Sequence, residues 1–139
     1  MPEEIIQKKL DQMKQLLREL NELFNKPRPE FLKDVVVVRA AERDFQLIVD
    51  LASDINTHIL IERGKETPDT YRQSFIDIER EGILSTDLAQ TLAASARLRN
   101  ILVHEYDFEE DYERFYESVK QFIPAYQEYI KKIYGIAQK

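Results

Sequence analysis

The sequence predicts an all-α fold: an antiparallel up-and-down four-helix bundle with one additional short helix. Three observations carry that prediction. Apolar residues recur at alternating steps of three and four along most of the 139-residue chain, the period of helices that bury one stripe. Three glycines and five prolines are few, and they fall mainly between the periodic stretches, which suits long helices better than an all-β chain with many turns. A hydrophobic content of 43% is enough for one continuous core, so a single domain over residues 1–139 is expected.

Each helix has its own signature along the chain. Ile6, Leu10, Met13, Leu17, Leu20 and Phe24 form a heptad seam, widened by Ile5, Leu16 and Leu23, and predict a first helix over about residues 3–25. Pro27 and Pro29 end it, and Phe31 opens a second helix with the seam Ala41, Phe45, Ile48, Ala52, Ile55 and Ile59. Val35 to Val38 favour a strand by propensity, but the seam and the charges flanking them keep helical spacing, so they read as helix. Reaching Arg63, this helix would be about 50 Å long at 1.5 Å per residue. That is more than a small domain requires, and a protruding end or a dimer contact is its natural use.

Gly64 to Thr70 has the composition of a loop, with Asp69 or Thr70 able to cap the next helix. Tyr71, Phe75 and Ile78 mark that short third helix, and Gly82 supplies its left-handed end. Ser85 or Thr86, with Asp87 in the first turn, starts a fourth helix through Leu88, Leu92, Ser95, Leu98 and Leu102. A fifth begins at about Glu109 and carries Tyr112, Phe115, Val119, Phe122, Tyr126, Tyr129 and Ile133. Pro124 should kink this last helix without ending it, because the apolar period persists on both sides. Its aromatic stripe at heptad spacing reads as core, not as a ligand box.

Charge and composition bound the function. A net charge of −6 argues against a nonspecific nucleic-acid binder with a broad basic surface, while leaving room for a small focused site. Acidic residues crowd one stretch: Glu105, Asp107, Glu109, Glu110, Asp111, Glu113 and Glu117, answered locally only by Arg114. They read as a solvated helix start favoured by the dipole, with a docking surface for a basic partner as the alternative. The chain has no cysteine, hence no disulfide and no thiolate metal site, which suits a reducing compartment. No apolar run approaches the roughly 20 residues of a membrane span, and the N-terminus lacks a basic leader, so a cytoplasmic protein with no membrane association is expected. Neither a His-Glu-x-x-His pattern nor paired Glu-x-x-His motifs occur, and no metal or cofactor is expected. His58 reads as a core histidine. Arg39 and Arg43 share a helix face and suit ion pairs with carboxylates such as Glu42, RNA phosphate being the alternative.

Residues 99–106, Arg-Asn-Ile-Leu-Val-His-Glu-Tyr, depart from what a plain bundle needs. They put a fixed cation, an amide, an imidazole and a phenol within one short stretch, groups suited to a phosphate. Histidine, with an unperturbed pKa of about 6.5, serves as general acid or base near neutrality. Arginine keeps its charge and offers a planar fork to two phosphate oxygens. Geometry limits which of them cooperate. At about 100° per residue, Arg99 and His104 stand about 140° apart on an unbroken helix, whereas Asn100 and His104 share a face. Either the helix ends near Val103, or Arg99 meets a histidine from a second chain of a symmetric dimer. In a purely structural role, His104 would cap helix carbonyls and Arg99 would be solvated.

Arg99-Asn100, three residues, then His104-Glu105-Tyr106 resembles the Arg-x4-His-x-Tyr motif of the HepT-like toxins, a branch of the HEPN superfamily of small helical ribonucleases. The likeness extends to Arg39-Ala40-Ala41-Glu42-Arg43, to Asn56-Thr57-His58-Ile59-Leu60 and to Ser85 before the fourth helix, and so covers most of the chain. The resemblance implies an antiparallel HEPN-like bundle that forms a homodimer with paired motifs facing each other across a cleft. It implies metal-independent endonucleolytic cleavage of RNA, tRNA or mRNA, as the toxin of a type VII toxin–antitoxin system. Arg99 and His104 would be the catalytic pair and Asn100 a supporting polar residue. The partner would be a MntA-like minimal nucleotidyltransferase antitoxin that transfers AMP from ATP to Tyr106. A rival reading is a catalytically silent helical module that binds a nucleotide or docks the nucleotidyltransferase.

Overall fold

Ile6, Leu10, Met13, Leu17, Leu20 and Phe24 are all buried, and the helix they build, α1, runs Pro2–Phe24. The face is narrower than its flanking residues suggest: Leu16 and Leu23 only lean on the core, and Ile5 is exposed. The computed structural model describes residues 2–104 and 111–137. Among them are five further helices: α2 (Arg28–Lys33), α3 (Val35–Glu62), α4 (Tyr71–Arg80), α5 (Thr86–His104) and α6 (Tyr112–Ala137).

The expected second helix is two helices, and Asp34 is the reason. Its backbone is extended at φ −102° and ψ 96°, and its amide donates to the Phe31 carbonyl, which closes α2. Its carboxylate accepts from the amides of Val36 at 3.1 Å and Val37 at 3.2 Å, which opens α3. The valine run is helical, with Val37 and Val38 buried and Val35 and Val36 exposed. The remaining boundaries reflect local chemistry. The Thr70 hydroxyl accepts from the Gln73 amide and starts α4; the Ser85 hydroxyl accepts from the Leu88 amide and starts α5. Gly64 and Gly82, at φ 73° and 77°, end α3 and α4 in the left-handed conformation that glycine tolerates. Asp111 caps α6 through the Arg114 amide, and the helix continues through Pro124 to Ala137. The expected start of the last helix near Glu109 lies outside the described residues.

The four long helices form a ring in which α1 and α5 each pack against both α3 and α6 and so occupy opposite corners. Neighbours are antiparallel. Lys9 near the start of α1 meets Asp54 late in α3 at 3.4 Å, and Phe24 at the end of α1 stacks on Tyr116 early in α6 at 5.0 Å. The diagonal pair α3 and α6 runs parallel, with Phe45 against Phe122 and Tyr129 reaching Ala52. The short α4 packs on α3 and α5.

Two sets of buried polar contacts tie these layers. The Tyr129 hydroxyl of α6 donates to Asn56 Oδ1 of α3 at 2.6 Å, and Asn56 Nδ2 donates to Ser74 Oγ of α4 at 3.0 Å. Tyr126 and Ser95 pair hydroxyl to hydroxyl at 2.6 Å. Burial pushes both phenols above their ordinary range, so they stay neutral donors. On the opposite face, Asp44 of α3 lies beside Glu19 of α1. Partial burial, reinforced by the Glu19 charge, raises its carboxyl to about 6.

Candidate functional site

Helix α5 runs Thr86–His104, so its described end lies next to Val103, and no break separates Arg99 from His104. Arg99 and His104 therefore stand about 140° apart on one helix. Arg99 turns inward with its side chain 18% exposed; His104 is exposed in the last turn. Within one protomer they do not converge. Asn100 is exposed and, with Arg97, shares the His104 face of α5.

The inward turn of Arg99 has three partners. Its Nε donates to Asp50 Oδ1 of α3 at 3.0 Å, its Nη1 donates to Asn100 Oδ1 at 3.2 Å, and its guanidinium lies 4.6 Å from the centre of the Tyr71 ring of α4. Three helices thus fix one cation. Two of its five N–H donors are used in these contacts among the described residues. Burial and the Asp50 carboxylate raise the Tyr71 phenol pKa, against a smaller opposing pull from Arg99. The ring stays neutral and presents its π face.

Asp50 and Tyr71 are absent from the sequence-based site. A faint signal existed for Asp50, a lone carboxylate inside the apolar run Leu47-Ile48-Val49-Asp50-Leu51-Ala52. Tyr71 offered none beyond opening a short helix.

Other expectations resolve around this centre. Arg39 pairs with Glu42 at 2.9 Å and lies over the Tyr112 ring, while Arg43 is exposed and His58 half-buried. Part of the acidic run is engaged by α2: Arg28 reaches Glu117 at 3.0 Å and Glu113 at 3.7 Å. Tyr106 lies outside the described residues, as do Glu105 and residues 107–110. Among the described residues no three His, Asp or Glu side chains are grouped to hold a metal ion. No helix among them is long and apolar enough to cross a membrane.

Residues 13–133 match the model of the family described as ribonuclease HepT-like. The chain belongs to the HepT-like ribonuclease family. Its ribonuclease class is that of the family, and the resemblance carried by Arg99, Asn100, His104 and Tyr106 is to the family it belongs to. Among curated proteins, the HepT-like chain is 32% identical over 129 residues to the tRNA nuclease HepT of Aphanizomenon flos-aquae, covering 93% of this chain and 87% of that one. Among solved structures, it superposes on the tri-AMPylated HEPN toxin of Shewanella oneidensis, solved in complex with MNT antitoxin. The TM-score is 0.86 at 21% identity, over 94% of this chain and 97% of the other. A cytosolic Bacillus subtilis protein of unknown function, YutE, gives a TM-score of 0.77 at 17% identity, over 94% and 89%. At these identities the structural likenesses establish the all-helical HEPN fold.

Proposed function

We propose that this chain is the toxin of a two-component toxin–antitoxin pair, an endoribonuclease that cuts RNA in the cytoplasm without a metal. The observation that carries the reading is the divergence of Arg99 and His104 on one continuous helix, with Arg99 already held by Asp50 and Tyr71. A prearranged cation and a histidine on another face make sense if a second copy supplies the missing half. In a homodimer, Arg99 of one protomer would face His104 of its partner across a cleft.

The chemistry then divides cleanly. A histidine takes the proton of the ribose 2′-hydroxyl, the oxygen attacks the adjacent phosphate, and the 5′-oxygen leaves with a proton from an acid. Arg99 neutralises the developing charge on the non-bridging oxygens. Two protomers bring two copies of His104, one for each proton transfer, and Asn100 orients the Arg99 fork. Transfer RNA is the first substrate to test, because the Aphanizomenon relative is named a tRNA nuclease. The proposed partner is a minimal nucleotidyltransferase antitoxin, as in the Shewanella complex. AMP placed on Tyr106 would add a negative phosphodiester and a purine beside the motif and exclude RNA by charge and bulk.

Incubation of the purified chain with tRNA and total RNA, with and without a chelator, tests the activity. His104→Ala should lower cleavage by about 10² to 10⁴ and Arg99→Ala by about 10² to 10³, and a mixed dimer with His104→Ala in only one chain should also lose activity, because one of the two proton transfers then lacks its histidine. Full activity in that mixed dimer would overturn the division of the two proton transfers between two histidines. Tyr106→Phe should resist silencing by the nucleotidyltransferase and ATP; silencing with the same mass gain would reassign the modified residue.

A further inference from the structure

Helices α4 and α5 run side by side in opposite directions, and a cleft of about 500 Å³ lies between them. Its two ends differ in charge. Tyr71 at the start of α4 sits under Arg99, so the Arg72 and Arg97 end abuts the Arg99 site. Glu79 marks the other end, where its carboxylate accepts from the Thr86 hydroxyl at the start of α5 at 3.0 Å. Between them Ala89 and Ala93 keep one side low and Ile76 supplies an apolar wall.

Arg72 and Arg97 are exposed, and neither forms an ion pair among the described residues. Arg28, Arg39, Arg63, Arg80 and Arg99 all do, whereas Arg18, Arg43 and Arg114, which form none among the described residues either, do not line the cleft. Arg97 also stands three residues before Asn100 and seven before His104 on one exposed face, about 10 Å along α5 from the histidine. That separation is one that neighbouring phosphates of a single strand can bridge.

We propose that the α4–α5 cleft is an RNA-backbone site, in which Arg72 and Arg97 hold phosphates of the strand next to the bond that is cut. The inference rests on the ribonuclease reading of the Arg99 and His104 centre. Guanidinium forks match phosphate oxygens in pairs, and the alanine side leaves room for a ribose. Four of the eight lining residues, Arg72, Glu79, Gln90 and Arg97, are charged or amide side chains, and Ile76 is the one large apolar group among them, a smaller apolar centre than a protein interface usually has. Glu79 repels phosphate at the far end, so the strand crosses at the arginine end only. The arrangement also reconciles RNA binding with a net charge of −6, because the cations are concentrated beside the reacting bond.

The test is the double variant Arg72→Gln/Arg97→Gln beside a charge-matched control, Lys8→Gln/Arg18→Gln, on α1 at the opposite corner of the bundle. Cleavage is measured on a long RNA and on a dinucleotide spanning only the scissile bond. Binding is followed by anisotropy of a labelled 2′-O-methyl strand, which lacks the attacking hydroxyl, against salt concentration. The double variant should raise KM for the long RNA about tenfold with kcat within about twofold. It should leave the dinucleotide unchanged and flatten the salt slope by about 1.4, the loss of two phosphates at about 0.7 each. The control should behave as wild type. Equal KM and salt slope in the two double variants would overturn the proposal. So would normal RNA binding accompanied by loss of neutralisation by the nucleotidyltransferase, which would make the cleft a protein-docking site. If the wild-type chain cuts no RNA, the ribonuclease reading fails, and the anisotropy slope alone still decides the cleft.

Discussion

Asp50→Ala is the substitution that most directly tests how Arg99 is held. The carboxylate accepts from Arg99 Nε at 3.0 Å, with Arg99 18% and Asp50 32% exposed. A hydrogen bond to a charged group is worth about 1.5–3 kcal/mol when shielded, and the partial exposure of Asp50 brings this to about 1–1.5 kcal/mol. Losing it frees the guanidinium to swing off the Tyr71 ring, so about tenfold should be lost from kcat/KM, mostly in kcat. Asp50→Asn keeps an acceptor oxygen and should lose less. Removing Arg99 itself should cost about 10² to 10³. The decisive measurement is a double-mutant cycle with Arg99→Ala, read by cleavage of a defined RNA and by thermal melting of each variant. Because Asp50 acts through Arg99, Asp50→Ala should change nothing further once Arg99 is gone. Additive losses would give Asp50 a separate role, and full activity in the single variant would show that Tyr71 and Asn100 suffice to hold the cation.

Two other outcomes concern the interior. Tyr129→Phe leaves Asn56 Oδ1 without its 2.6 Å donor in a fully buried site and should destabilise by about 1–3 kcal/mol in urea unfolding; a loss below about 0.5 kcal/mol would mean that Asn56 finds another donor. Asp44→Asn should be pH-selective. The native carboxyl binds its proton up to about 6 and the unfolded one only to about 4, so stability declines as pH rises through that window and levels off above it. Asparagine, which never ionises, should raise Tm by about 2–4 °C at pH 7, with the gain kept small by solvent screening of Asp44, and should do little at pH 4; equal gains at both would exclude the ionisation of Asp44 as the cause.

The helices were legible because burial tracks the apolar period: every seam residue of α1 and α3 named from the sequence is buried. The break at Asp34 was missed because one capping side chain interrupts a period that otherwise continues across it. Helical angle alone showed that Arg99 and His104 diverge. It could not show where Arg99 goes, since Asp50 and Tyr71 lie 49 and 28 residues away in sequence and meet it only through the packing of α3 and α4. The buried polar contacts were hidden for the same reason. Tyr129 sits in a regular heptad stripe, and only the structure distinguishes a packed phenol from one that bridges to Asn56.

That bridge gives α4 a fixed rotation, because Asn56 holds Ser74, and Ser74 in turn donates to the carbonyl of Tyr71 at 2.6 Å. The ring beneath Arg99 therefore inherits its place from an amide in the bundle interior. In evolutionary terms, a lineage under pressure to shed this activity has targets well away from its motif. If Arg99 acts as proposed, a change at Asn56 or Ser74 would disturb its seat on Tyr71 while leaving Arg99, His104 and Tyr106 themselves in place. On the proposed reading, an unbroken motif would not by itself make an active chain, because the interior of the bundle also sets where the Tyr71 ring stands.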